Sequence, residues 1–205
     1  MTVRFPSKPR GFTVLELMIT MGFMFILVGS FYGALHVMRN EIAGQRVYFD
    51  TDNAVRYGLE RIEEDTREAL GIVGTWGGNT TGDVVLILKL PSINAGGQPT
   101  DIGTQFDYVT YKRDSANPTL LVRSLDVLGG VSTREGGVDV AHRVLVKRIQ
   151  SLLFSYNGTG LSSVSASTLP SLKYVNVKIV AQGVTLGSGQ STQSSTDLVL
   201  RNNVS

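Results

Sequence analysis

The sequence predicts an α+β protein: a long N-terminal helix, partly transmembrane, packed on a C-terminal head built from an antiparallel β-sheet. Three observations predict it. Residues 17–38 contain no Asp, Glu, Lys or Arg. Apolar residues then recur at helical spacing up to Leu70. Beyond Gly71 the texture changes to short β-branched or alternating runs separated by Gly-, Ser- and Thr-rich stretches. The chain divides accordingly into a basic leader (1–11), an apolar helix (12–38), an amphipathic continuation (39–70) and a β-rich head (71–205).

The leader carries Arg4, Lys8 and Arg10 and no acid. It accounts for the whole positive balance. The chain has 19 basic and 17 acidic residues, a net charge of +2. Without the leader's three cations the count is 16 against 17, or −1. A basic body attracting nucleic acid is therefore not expected.

The uncharged run of 22 residues from Leu17 to Met38 would span roughly 33 Å as a helix, close to the hydrocarbon thickness of a bilayer. Thr20, Ser30, Gly22, Gly29 and Gly33 dilute it, and Arg39 and Glu41 end it. The cations before it predict a cytoplasmic N-terminus and an outside head. A secretory signal has a shorter apolar region and a small-residue cleavage site after it; neither is present. An uncleaved anchor fits, except for Glu16. A carboxylate there costs about 2.5–3.5 kcal/mol at the membrane centre, less near its edge, and needs a partner.

Gly11-Phe12-Thr-Val-Leu-Glu16, between the basic leader and the apolar run, resembles the processing signal of type IV prepilins and pseudopilins. The resemblance implies cleavage by a prepilin peptidase between Gly11 and Phe12, methylation of the new amine of Phe12, and retention of the helix. It implies a bacterial inner-membrane anchor, partners among other pilin or pseudopilin subunits, an inner-membrane assembly platform, and a pilin fold. It also gives Glu16 a partner, the α-amine of a neighbouring subunit, which sets helix register in a filament. Many members of the family carry a proline midway along the helix; Gly33 stands there here. Gly29 and Gly33 form a small-xxx-small pair that permits close helix contact; glycine is also simply frequent in membrane helices.

The helix is expected to run on to Leu70, roughly 88 Å from Phe12 if unbroken, with Val55, Leu59, Ile62, Thr66 and Ala69/Leu70 on one face and Gly71 as its stop. Glu60, Arg61, Glu63, Glu64, Asp65, Arg67 and Glu68 are assigned to the wet side, with Arg61–Asp65 and Glu63–Arg67 as i,i+4 pairs.

Residues 74–82 read as loop. Strands are expected at Asp83–Leu90, Phe106–Lys112, Thr119–Asp126, Val144–Asn157, Leu172–Ala181 and Thr196–Arg201, the second and third forming a hairpin. Residues 129–137, 158–171 and 183–195 read as surface loops. Ile149–Tyr156 and Asp197–Asn202 resemble W-type minor pilins and, more loosely, J-type pseudopilins.

Catalytic chemistry is not expected. Cysteine is absent, which excludes disulfides and thiolate chemistry. Asp139 and His142 lack a nucleophile elbow. His36 lies at the outer end of the apolar run. Asp50-Thr-Asp52-Asn53 starts like a calcium loop, but the later glycine and glutamate are out of register. Gly77-Gly78 and Gly136-Gly137 lack a nucleotide-binding context. No cofactor or metal is expected. The reading is a minor pilin acting in initiation or at a tip. The alternative is a minor pseudopilin of a type II secretion system, and behind both stands a membrane-tethered DNA-uptake receptor, for which Arg143, Lys147 and Arg148 offer a local patch.

Overall fold

In the structure, a computed structural model, α1 runs unbroken over Val14–Glu68. The residues described are 12–100, 105–127, 132–134, 143–185 and 188–200. Internal contacts divide the chain into two units, one up to Gln45 and one from Arg46 onward. In the first unit α1 is exposed on all sides from Phe12 to Ala43. It is the one helix among the described residues long and apolar enough to cross a membrane, with a mean hydropathy of 2.1.

The second unit joins the rest of α1 to two main sheets. Their strands are β1 (Gly71–Ile72), β2 (Thr75–Trp76), β3 (Asn79–Thr80), β4 (Val85–Pro91), β5 (Phe106–Arg113), β6 (Leu121–Asp126), β7 (Arg143–Val146), β8 (Ile149–Tyr156), β9 (Thr159–Gly160), β10 (Tyr174–Thr185) and β11 (Ser188–Val199). One sheet has the order β1-β4-β5-β6-β7, the other β11-β10-β8-β9, and β2-β3 is a separate ribbon. The pairings within them are antiparallel. A long helix followed by antiparallel sheets is the α+β layout expected from the sequence.

One apolar cluster fills the head. It takes Val55, Leu59 and Ile62 from α1, Leu86, Leu88 and Leu90 from β4, Val109 and Tyr111 from β5, and Phe154, Val175, Val177 and Ile179 from the second sheet. The spacing of four and three in α1 is what turns these side chains to one side. Gly58 lies on that side as well. A Cβ there would come within 2.6 Å of Val146 Cγ2, so a glycine is what lets β7 lie against the helix.

Asp65 departs from expectation. It is not on the wet side but enclosed, at 1% exposure. Its partner is Arg123 of β6, exposed 0%. Arg123 Nε donates to Asp65 Oδ2 at 2.7 Å and Nη2 to Oδ1 at 3.3 Å. The Tyr111 hydroxyl donates to the same carboxylate. Arg61 Nη2 lies 3.5 Å from Oδ1, so the expected Arg61–Asp65 pair is present with a buried acid. A position four residues from a cation looks like a surface pair from sequence; here a buried cation on another strand claims it. Burial first, and the Asp65 charge second, hold the Tyr111 hydroxyl protonated well above the usual 10.0.

A second polar cluster anchors the end of α1. Asp107, fully buried, accepts from Ser92 Oγ at 2.9 Å, Ser132 Oγ at 2.6 Å and Arg134 Nε at 3.4 Å. Arg134 also donates to Glu68 at 2.5 Å and to the Pro91 carbonyl at 2.9 Å.

Several element boundaries shift. α1 stops at Glu68, and Gly71 begins β1 opposite Lys89 instead of capping the helix. The stretch 74–82, read as loop, contains the ribbon β2-β3; Gly77 and Gly78 take φ of +55° and +74°, the two positive values of a tight I′ turn. The run 144–157 is two strands in different sheets, parted at Lys147-Arg148, where Arg148 has a φ of +59°. Within the stretch read as a loop at 183–195, residues 183–185 and 188–195 are strand. β10 continues to Thr185 and β11 starts at Ser188, paired from Thr185↔Ser188 to Tyr174↔Val199. A strand at a sheet edge needs only the backbone ladder, not apolar alternation. The stretch 158–171 holds β9 and two short 3-10 turns, Leu161–Ser163 and Leu169–Ser171.

Removing one member of the enclosed ion pair strands the other. Arg123→Ala is expected to lower unfolding free energy by about 3–5 kcal/mol, whereas the double change Arg123→Met with Asp65→Leu costs much less; chemical denaturation of the full chain checks this. Tyr111 gives a pH dependence. Its folded pKa is raised, so the stabilisation is whole below 10.0 and declines as pH rises above it. Tyr111→Phe is expected to flatten the fall of the thermal midpoint above pH 10.0, the ordinary value of the phenol.

Candidate functional site

The residues singled out by sequence lie along the first unit of α1. Its first turn is a reciprocal cap. Glu16 N–H donates to Thr13 Oγ1 at 3.3 Å, and Thr13 N–H donates back to Glu16 Oε2 at 3.0 Å. The Thr13 hydroxyl also lies 3.2 Å from Oε2. This is a capping box, Thr-x-x-Glu, which satisfies two amides that the helix start leaves without partners. The acid also stands at the positive end of the helix dipole. The Thr-x-x-Glu signature is legible in the sequence at Thr13 and Glu16.

Phe12 is exposed at 82%. Gly11 and the basic leader lie outside the described residues. In the intact chain the Phe12 nitrogen is an amide, so a cationic amine arises there only on cleavage. Both Thr13 contacts go to Oε2. A carboxylate has a second oxygen, so capping and pairing with a cation are compatible.

Along the apolar run the polar side chains turn inward onto the backbone. Thr20 Oγ1 donates to the Glu16 and Leu17 carbonyls, each at 2.9 Å, and Ser30 Oγ to the Ile26 carbonyl at 2.8 Å. That removes their hydroxyl donors without water, as a helix in lipid requires. A Cβ built at Gly22, Gly29 or Gly33 meets nothing within 4 Å. The surface at Gly29 and Gly33 is thus open to a neighbouring helix.

Other candidates resolve into structure. His36 Nδ1 lies 3.4 Å from Asn40 Nδ2 on the same exposed helix surface. Asp50, Asp52 and Asn53 are helical, and Asp52 accepts from Arg56 at 2.7 Å. Among the described residues no three His, Cys, Asp or Glu side chains gather as metal ligands. Asp139, His142 and Gly136-Gly137 lie outside the described residues. Arg143 donates to the Tyr57 hydroxyl at 3.0 Å, while Lys147 and Arg148 line an open groove of about 450 Å³ together with Asp50 and Thr51. The acid there offsets the basic patch. Asp83 is held below its usual 3.8 by the Ser162 hydroxyl and then the Ser162 amide, which donate at 2.7 and 2.8 Å; it ties the start of β4 to the Leu161–Ser163 turn.

No protein-family model, curated protein or solved structure matches this chain.

Thr13→Ala is expected to weaken the start of α1 by about 1 kcal/mol. Hydrogen exchange should show faster exchange of the first-turn amides and unchanged protection at Val55–Ile62.

Proposed function

We propose that this chain is a minor pilin, a non-catalytic subunit of a type IV pilus filament that acts in initiation or at the tip. The observation that carries the reading is the exposed apolar helix behind Gly11-Phe12 with an acid in its first turn. From Phe12 to Met38 every residue is exposed. Such a surface must be covered by lipid, by other helices, or by each in turn. A subunit that waits in the inner membrane and then joins a filament meets both.

Glu16 supports the same reading. Its carboxylate is costly in an apolar environment unless a cation answers it. Cleavage after Gly11 by a prepilin peptidase produces an α-amine with an ordinary pKa near 7.7–8.0, largely protonated at neutral pH. Pairing between Glu16 of one subunit and the Phe12 amine of the next fixes an axial step that apolar packing alone leaves free. Gly29 and Gly33 let helix backbones approach closely. The head, with its single core, then faces outside.

Mass spectrometry of the mature protein is expected to find a chain that begins at methylated Phe12. A chain still starting at Met1 in cells with active prepilin peptidase refutes the proposal. Capping and ion pairing separate by substitution. Glu16→Gln keeps a capping box, since Gln serves at that position, but removes the charge. Both Glu16→Gln and Glu16→Ala are expected to insert and be cleaved normally yet be largely missing from sheared filaments. Normal incorporation of the Gln variant would show that charge pairing is not what admits the subunit.

A further inference from the structure

The ribbon β2-β3 does more than connect. Its tight turn at Gly77-Gly78 sets Trp76 opposite Asn79 and lays both on the outer face of the first sheet. The alternation of β5 turns Asp107, Val109 and Tyr111 inward and leaves Phe106, Tyr108 and Lys112 outward. Trp76 stacks on Tyr108 with ring centroids 3.5 Å apart and planes 15° from parallel. Its Nε1–H donates to Asp126 Oδ2 at 2.7 Å. At the other strand of the ribbon, Lys112 Nζ donates to Asn79 Oδ1 at 2.8 Å.

The indole is therefore fixed twice, by a stacked ring beneath it and by a hydrogen bond at its edge. It nevertheless remains 37% exposed. The face against Tyr108 is closed to solvent by the stack, so the exposed area belongs to the opposite face and the rim. Trp76 is the only tryptophan in the chain. A rigid, flat, half-exposed aromatic ring loses little conformational entropy when something lies on it.

The surroundings narrow what lies there. Tyr108, beneath the indole, has Asp126 opposite it on β6 and Lys89 opposite it on β4, and Asn79, paired with Trp76 across the ribbon, holds Lys112, so the surroundings offer an anionic acceptor, cationic donors and an amide. An anionic ligand meets Asp126, and a cationic one meets Lys112. An oligonucleotide needs successive open rings along a positive groove. The neighbouring rings are taken: Tyr108 by Trp76, and Phe106 by Lys89, whose ammonium lies 3.5 Å from the ring centroid. One open ring with donors and acceptors of both signs in its surroundings suits an uncharged polyhydroxylated ring. A pyranose of gluco configuration carries its hydroxyls equatorially, and its axial C–H bonds form a flat apolar face of about indole size.

We propose that Trp76, with Asp126, Asn79 and Lys112, forms a binding site on the head for a neutral β-linked glucan-type or N-acetylglucosamine-type sugar chain, one pyranose lying flat on the indole. Trp76 supplies the apolar contact. The Lys112 ammonium, which has three N–H groups and gives one to Asn79, donates to a ring or hydroxyl oxygen. Asp126, with its second carboxylate oxygen, accepts from a hydroxyl. The site lies within the head and is independent of how the helix assembles.

The single tryptophan makes the test direct. The full chain in phosphatidylcholine nanodiscs is titrated with cellotetraose and chitotetraose while tryptophan emission is followed. At least one is expected to give a saturable change with half-saturation on the order of 1 mM, as one ring face with a few hydrogen bonds allows. Lys112→Met is expected to raise that value about tenfold, the scale of one lost hydrogen bond to a charged group. Trp76→Ala, read by calorimetry with circular dichroism confirming the fold, is expected to remove measurable binding. Absence of a saturable change with both sugars in the wild-type chain overturns the proposal. So does binding unaltered in Trp76→Ala, or binding confined to a polygalacturonate control.

Discussion

Arg123 is a full positive charge sealed inside the head, and the placement of the surrounding elements answers to it. Apolar burial holds α1 against the sheets but has little directional preference. Val55, Leu59 and Ile62 would tolerate a helix slid or turned by a fraction of a turn. The Arg123 guanidinium would not, because its Nε and Nη2 bond the Asp65 carboxylate in a fixed geometry. The Tyr111 hydroxyl donates to the same Oδ2 atom as Arg123 Nε, and Arg61 stands at Oδ1. Helix, β5 and β6 are thus tied at one point by groups that cannot be left unpaired without a penalty of several kcal/mol. Asp107 and Arg134 repeat the device at the end of α1, where Glu68 and the Pro91 carbonyl share the second guanidinium.

The first unit of α1 follows the opposite rule. It offers no inward charge, because no side of it is inward. Its hydroxyls at Thr20 and Ser30 bond the helix's own carbonyls, and a Cβ at Gly22, Gly29 or Gly33 would meet open space. A surface of this kind specifies no single neighbour. On the proposed reading register must come from elsewhere, and Glu16 is the sole acid between the leader and Arg39.

How much could be read in advance depended on whether the signal was local. The α+β order, the 22-residue uncharged run and the Val55–Leu59–Ile62 face follow from periodicity. The Phe106–Asp126 hairpin follows from β-branched and aromatic runs around a polar turn. Asp65 was misplaced because its partner lies 58 positions away, and nothing near it in the chain marks it as enclosed. The end of β11 falls within the strand expected at Thr196–Arg201, but its first part was hidden because Ser, Thr and Gln in a row look like a loop, while an edge strand is held by backbone bonds to β10. The break at Lys147-Arg148 was hidden because a non-glycine residue takes the positive φ there. Gly77-Gly78 did carry a local signal, since two adjacent glycines supply the two positive φ values of a hairpin turn. Trp76, Tyr108 and Asp126 are distant in sequence, and only the folded sheet brings them to one surface.

Glu16 is the residue for which local and long-range readings compete most directly. A capping box fully explains an acceptor three residues after Thr13 and does so with ordinary geometry. It does not explain the charge. Glutamine caps as well and would enter lipid without a carboxylate's desolvation cost. The helix dipole repays part of that cost, typically 0.3–1 kcal/mol, which is less than the roughly 2.5–3.5 kcal/mol at stake at the membrane centre. Near the bilayer edge the two are comparable, and an unpaired Glu16 is tolerable there. Deeper in a helical assembly they are not, and a cation must stand close by. On the proposed reading that cation is the amine released at Phe12, and the same carboxylate that starts the helix in one subunit receives the chain end of another.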